Sequence, residues 1–292
     1  MTPATLLLQA VAFGTLVDLG GQKLHVHCTG HGSPAVVLEA GIGDLSVIWS
    51  LVQPKVAKFT SVCSYDRGGY AWSDPGTRPR TYAQLALELH TALDRLHVEA
   101  PYVLVGQSYG GLVVRGFVRR YPSDVVGMVL IDASHEDRYR KYAQGRVFPP
   151  PTISRDTAML RAARDSQVQP VSGPLEAPLD RLPPSAQQEW RWATSLPVYR
   201  MTQRAELDWS PEELERMHDE RQTNRVTLGD LPLIVLESAG GDDSLQADLA
   251  RLSSRGVRIV AEHSGHNIHV EDPDLVVRSI ERLVGVSAVR VP

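Results

Sequence analysis

Short apolar runs alternate with amphipathic stretches along most of this chain, the pattern of strands covered on both faces by helices. Ala35-Val36-Val37-Leu38 reads as a fully buried strand, residues 61–65 as a shorter one, and 102–105 and Val125–Ile131 as two more. Residues 14–18 and 23–28 alternate in polarity instead, which predicts an antiparallel pair at a sheet edge. Over 81–98, Tyr82, Leu85, Leu89, Leu93 and Leu96 fall at helical spacing and give one apolar face. A helix over 112–120 follows the strand at 102–105. Farther on, the spacing predicts strand 233–236, helix 245–252, strand 257–260 and helix 274–284. The expected fold class is α/β, with a mostly parallel central sheet flanked by helices.

Between 138 and 229 the alternation breaks down. Ten of the twenty prolines lie there, with helices expected only at 157–164, Pro184–Ser195 and 211–224. Trp190, Trp192, Tyr199 and Trp209 argue against a disordered linker, because such aromatics need a surface to pack on. We therefore expect a core in two parts, 1–137 and 230–292, with a Pro-rich helical lid at 138–229. No internal repeat is visible.

Gly106-Gln107-Ser108-Tyr109-Gly110, directly after Val103-Leu104-Val105, carries the most chemistry. A strand entering a glycine-flanked serine and leaving as a helix is the pattern of a nucleophile elbow, a sharp turn that lifts one hydroxyl above the sheet. Strand and helix then pass closely, so the positions two before and two after the serine must be small. Both are glycine, and Gly111 adds a third; the alternative is an ordinary glycine-rich turn. Serine is a poor nucleophile at neutral pH, so Ser108 needs a base and a third group to orient that base. The expected base is His266, in Ser264-Gly265-His266-Asn267 past the strand at 257–260, with His263 and His269 as rivals.

Composition narrows the partners. The 292 residues, 42% of them apolar, suit one large core plus an insert. A net charge of -4 gives no electrostatic reason to expect nucleic acid or an anionic membrane. Cys28 and Cys63 lie in strand-like runs and are expected as buried free thiols rather than a disulfide. No Cys/His spacing of metal-site type occurs, so neither metal nor cofactor is expected. Leu6-Leu7-Leu8 is interrupted by Gln9 and preceded by no basic residue; it makes a poor signal peptide and is too short to span a bilayer. A cytoplasmic protein acting on a small molecule is the default, with an upstream targeting segment and the oligomeric state left open.

These motifs together resemble the α/β-hydrolase superfamily, in its lidded group of small-molecule esterases, lactonases and haloalkane dehalogenases. The resemblance rests on Leu38-Glu39-Ala40-Gly41-Ile42-Gly43, Tyr65-Asp66-Arg67-Gly68-Gly69-Tyr70, the elbow, Ile131-Asp132-Ala133-Ser134 and Gly265-His266. It covers the chain apart from the lid. Ala40-Gly41 stands where many members have His-Gly, which removes a side chain but no backbone donor. The resemblance implies an oxyanion hole from the backbone N–H groups of Ile42 and Tyr109. It also implies hydrolysis of a carboxylic ester or lactone through an acyl-enzyme on Ser108.

The family places the triad acid in two ways. One is the end of the strand after the nucleophile helix, here Asp132, 24 residues past the serine. The other follows strand 233–236, here Asp242 or Asp243, whose structural reading is a helix cap and first-turn acid. Asp132 is preferred, and Asp137 is a further candidate. Asp66-Arg67 is expected as a structural turn; Asp44 and Trp49 follow the oxyanion loop and are candidate substrate contacts, and His135 and Glu136 could edge the pocket. Haloperoxidase, hydroxynitrile lyase and a non-enzymatic small-ligand receptor stay open as alternatives on the same fold. Serine at 108 disfavours an alkyl-enzyme dehalogenase or epoxide hydrolase.

Overall fold

Eight strands form one sheet among the residues that this computed structural model describes, which are 14–138, 170, 172–223, 228–241 and 243–288. They are β1 (Thr15–Asp18), β2 (Lys23–Thr29), β3 (Ala35–Glu39), β4 (Val62–Asp66), β5 (Tyr102–Gln107), β6 (Val125–Ile131), β7 (Leu233–Ser238) and β8 (Gly256–Ala261). Across the sheet they run β1-β2-β4-β3-β5-β6-β7-β8. β2 pairs antiparallel with both β1 and β4, and every pairing from β4 to β8 is parallel. The helices are α1 (Gln53–Val56), α2 (Tyr82–Arg95), α3 (Gly110–Arg120), α4 (Pro184–Ser195), α5 (Pro197–Gln222), α6 (Asp243–Ala250), α7 (Ile268–Glu271) and α8 (Pro273–Ala288).

Side chains alternate across the strands, and each face of the sheet has its own core. Val36, Leu38, Val103, Val105, Val129 and Ile131 pack on one face with Val276, Ile280 and Leu283 of α8. Val37, Leu104, Met128 and Leu130 pack on the other with Leu89 and Leu93 of α2 and Val114 and Phe117 of α3. The central strands are buried on both faces, which is why they read as continuous apolar runs.

Parallel strands end together, so the turns leaving β3, β5, β6, β7 and β8 gather along one edge of the sheet. α4 and α5 belong to the segment between β6 and β7. The aromatics expected to pack there do so. Trp192 stacks on Trp72 with ring centroids 4.1 Å apart, Tyr199 lies 5.6 Å from Tyr70, and Trp190 is buried. The side chain of Trp209 and the helix expected over 157–164 lie outside the described residues.

Two expectations need correction. The helix expected to start at Pro211 is the second half of α5, which runs unbroken from Pro197 to Gln222. A proline is welcome in a first helical turn, so it reads as a start; here tertiary bonds on both sides of it carry the helix through. The second correction concerns the cysteines. Antiparallel pairing of β2 with β4 puts Cys28 directly opposite Cys63, with Cα atoms 4.0 Å apart, and the two form a disulfide. Spacing could not show this, because β4 joins β2 only once β3 has been passed over in the strand order. Bonded cysteines belong to oxidising compartments, so they lend the cytoplasmic expectation no support. No helix among the described residues is long and apolar enough to cross a membrane.

The bridge spans 35 residues of sequence and restricts the unfolded chain. Replacing both cysteines by serine is expected to lower stability by about 2–4 kcal/mol. Urea denaturation of the double variant beside the oxidised protein checks this, and unchanged midpoints would show that the bridge contributes nothing.

Candidate active site

Ser108 and Tyr109 alone make the turn between β5 and α3. Ser108 has φ +50°, a left-handed conformation that costs a side-chain-bearing residue about 1–3 kcal/mol. Neighbouring backbone holds it there. Its N–H donates to the Ile131 carbonyl at 3.0 Å, and its own carbonyl accepts from Gly111 and Ser134 at 3.0 and 2.9 Å. A Cβ on Gly106 would lie 2.7 Å from the Gly110 carbonyl oxygen, and one on Gly110 would lie 2.5 Å from that of Glu39. The turn therefore admits only glycine at both positions.

β6 lies beside β5 and delivers Asp132 next to the elbow. Asp132 also has positive φ, +39°, and its N–H donates to the Leu236 carbonyl at 2.7 Å. Its Oδ2 is 2.5 Å from Nδ1 of His266, and its Oδ1 accepts from the Ser238 N–H at 3.4 Å. Burial pushes the Asp132 carboxyl up, but the hydrogen bond and charge of His266 win and hold its pKa below the ordinary carboxylate value. The His266 loop is tied down on both sides. Gly265 N–H donates to the Glu271 carboxylate, and Gln107, the residue before Ser108, donates from Nε2 to the His266 carbonyl at 3.3 Å. The structure thus brings Asp132 to His266 directly and links the His266 loop to the elbow through Gln107.

The loop after β3 is shaped by Arg67. This buried guanidinium donates from Nη1 to Glu39 Oε1 and to the Ala40 carbonyl, both at 2.7 Å, and from Nη2 to the Gly41 carbonyl at 2.7 Å. Glu206 of α5 closes the arrangement, accepting from Nε at 2.8 Å and from Nη2 at 3.1 Å, and from the Tyr70 hydroxyl at 2.9 Å. Burial opposes the Arg67 charge, but the carboxylates, Glu206 first, hold its pKa well above the ordinary value. In a trans peptide a carbonyl and the following N–H point opposite ways. Binding the Gly41 carbonyl therefore turns the Ile42 N–H away from Arg67. Among the described residues, neither Ile42 N–H nor Tyr109 N–H donates to another group.

Other candidates fall into place around this frame. Burial raises the Asp44 pKa to about 6, against the charges of Arg67 and His266. Trp49 and His269 are fully buried against each other, ring centroids 4.7 Å apart, and burial lowers the His269 pKa to about 3. His263 is exposed. Asp137 is engaged by His218 of α5, and Glu136 is paired with Arg115 at 2.7 Å and Arg221 at 3.1 Å. Burial lowers the His135 pKa, and its Nε2 is 3.0 Å from Asp248. Asp243 opens α6, while Asp242 lies outside the described residues. Sequence reasoning missed Glu206, one of several acids on a polar helix with no local signal to set it apart.

Residues 24–279 match the alpha/beta hydrolase family, and the chain belongs to it. The chain is 23% identical over 259 residues to the uncharacterized protein YqjL of Bacillus subtilis, a match covering 86% of this chain and 83% of that protein. A shorter match, 30% identical over 132 residues, is to the probable transporter efuK of Hormonema carpetanum; it covers 42% of this chain and only 19% of that protein. Among solved structures, Cfl2 from Burkholderia cenocepacia superposes with a TM-score of 0.71 at 16% identity, covering 93% of this chain and 95% of Cfl2.

Removing one partner from a buried ion network strands the others. Arg67→Met should therefore cost about 3–5 kcal/mol, because Glu39 and Glu206 are left buried without their cation. Urea denaturation measures it, and a loss below about 1 kcal/mol, the range of an exposed ion pair, would contradict the account.

Proposed function

We propose that the chain is a serine hydrolase that cleaves a carboxylic ester or lactone of a small, moderately apolar molecule through an acyl-enzyme. The observation that carries the reading is the 2.5 Å contact of Asp132 Oδ2 with His266 Nδ1, set beside an elbow that presents Ser108. An acid on Nδ1 leaves Nε2 as the acceptor, the tautomer a general base for a hydroxyl requires. In this reading His266 takes the Ser108 proton as the hydroxyl attacks the substrate carbonyl. The tetrahedral oxyanion is held by Ile42 N–H and Tyr109 N–H. His266 then protonates the leaving alcohol, and water attacks the acyl-enzyme by the reverse steps. The depressed Asp132 pKa keeps that carboxyl ionised through the neutral range, where it steadies the imidazolium formed in each step.

Serine rather than aspartate at 108 favours acyl transfer over alkyl-enzyme chemistry. Residues 138–229, through α4 and α5, would act as the lid whose aromatics shape the pocket. An apolar wall with a few fixed polar groups suits a small, moderately apolar acyl or alcohol group.

The test is a panel of aryl esters of graded chain length run beside lactones. Ser108→Ala should fold normally and lose about 10⁴-fold or more in turnover, as removal of a triad serine does. A serine-directed organophosphate should add one adduct to the wild type, at Ser108, and none to the variant. Asp132→Asn should fall by about 10⁴-fold in kcat, the cost of the wrong tautomer. Near-wild-type turnover in Ser108→Ala would sink the mechanism; full activity in Asp132→Asn would remove Asp132 from it.

A further inference from the structure

A cavity of about 580 Å³ lies off the candidate active site, between β2, α1, the turn Ser46–Trp49 and α4. Ser108, Asp132, His266, Ile42 and Tyr109 take no part in its wall. Val47, Pro54, Ala57, Trp72 and Ala186 make the wall mainly apolar. Polar groups interrupt it on several sides, among them His25, Gln53, Ser50 and Glu189. Glu189 of α4 accepts from the Trp72 indole N–H at 2.7 Å through Oε1, and no cation pairs with it among the described residues. The Ser50 hydroxyl also lines the cavity and is buried with no hydrogen-bond partner. The desolvated carboxyl is an acceptor in need of donors, while the Ser50 hydroxyl and the buried, partnerless Nε2 of His25 on the same wall can each donate or accept.

We propose that this cavity is a second small-molecule site, and that it takes an amphipathic primary amine with its ammonium on Glu189 and its carbon skeleton on the apolar wall. An ammonium carries three donors and a full positive charge for the Glu189 carboxylate. A carboxylate or phosphate ligand would meet Glu189 as a like charge.

The pH dependence has a definite sign. Burial, with the nearby Asp66 charge adding to it, raises the Glu189 pKa to about 7 against the Trp72 hydrogen bond and the charge of His25. An alkylammonium stays charged throughout, so binding should strengthen as pH rises through 7 and Glu189 ionises. The other titratable groups at the cavity are on β2 and β4. His25 is bound to Asp66 at 2.8 Å, with a pKa that bond raises against burial, and burial keeps His27 low. α1 and the turn Ser46–Trp49 contribute no titratable side chain to the wall.

Calorimetric titration of the full chain with octylamine and with octanol tests this. It is best run in Ser108→Ala, so that binding is read whether or not the hydrolase reading holds. Octylamine should bind about tenfold or more tighter than octanol at pH 8, the margin expected of a hydrogen bond to a charged group. That margin should shrink about tenfold at pH 6. Glu189→Gln, which keeps an acceptor for Trp72, should erase the preference while leaving octanol binding in place. Ala186→Trp, which fills the cavity, should abolish both. Equal binding of amine and alcohol at pH 8, a preference that survives Glu189→Gln, or binding unaffected by Ala186→Trp would each overturn the proposal. So would competition by octylamine, in the wild type, against organophosphate labelling of Ser108, which would place the amine in the active site instead.

Discussion

One buried cation organises the mouth of this molecule. Arg67 holds two backbone carbonyls of the loop after β3, a carboxylate from β3 and a carboxylate from α5, through all three of its guanidinium nitrogens. Lysine could not do this, because a point charge on a flexible stem lacks the planar fork that spans four acceptors. The cost of burying the charge is offset only while every partner is in place. Loop conformation, the direction of Ile42 N–H and the seating of α5 are therefore a single condition, not three.

Strain at the neighbouring strand ends belongs to the same logic. Ser108 and Asp132 both sit at positive φ, at the ends of adjacent parallel strands, where a following backbone turn must reverse direction at once. Each is locked by bonds to the next strand over: Ser108 to Ile131, Asp132 to Leu236. The sheet thereby passes positional precision from β7 through β6 to β5. The Ser108 and Asp132 side chains are thus aimed by main-chain bonds within the sheet.

The legibility of the sequence follows the range of the interactions. Central strands and their helices were readable because burial on two faces leaves a local signature, and Val125–Ile131 and Pro184–Ser195 coincide with the expected bounds. The elbow was readable because steric contact between Gly106 and Gly110 dictates residue type within five positions. Pairings across the sheet were not. Cys28 meets Cys63 through a strand order that no local pattern encodes, and Arg67 meets Glu206 across 139 residues. Ranking Asp132 ahead of Asp242 and Asp243 rested on family resemblance alone; its contact with His266, 134 residues away, is a property of the folded chain. The long α5 was hidden for another reason. Its polar face is held by ion pairs to the core, so apolar periodicity, the usual sign of a helix, is weak along it.

Those ion pairs constrain how substrate could enter. Along α5, Glu206 binds Arg67, Glu213 accepts from the Tyr82 N–H, Glu220 pairs with Arg119, His218 meets Asp137 and Arg221 meets Glu136. Lifting the helix as a rigid body would break all of these together and strand Arg67 and Glu206, a buried pair whose separation alone costs several kcal/mol. α4 is held mainly by packing: Ala186, Trp190 and Ala193 are buried in the core, Trp192 stacks on Trp72, and Glu189 accepts from the Trp72 indole. At the other side of the site the His266 side chain is 46% exposed while Asp132 is 12% exposed. Water thus reaches the imidazole without any movement of α5. The fixed helix thus holds the loop after β3 through Glu206 and Arg67.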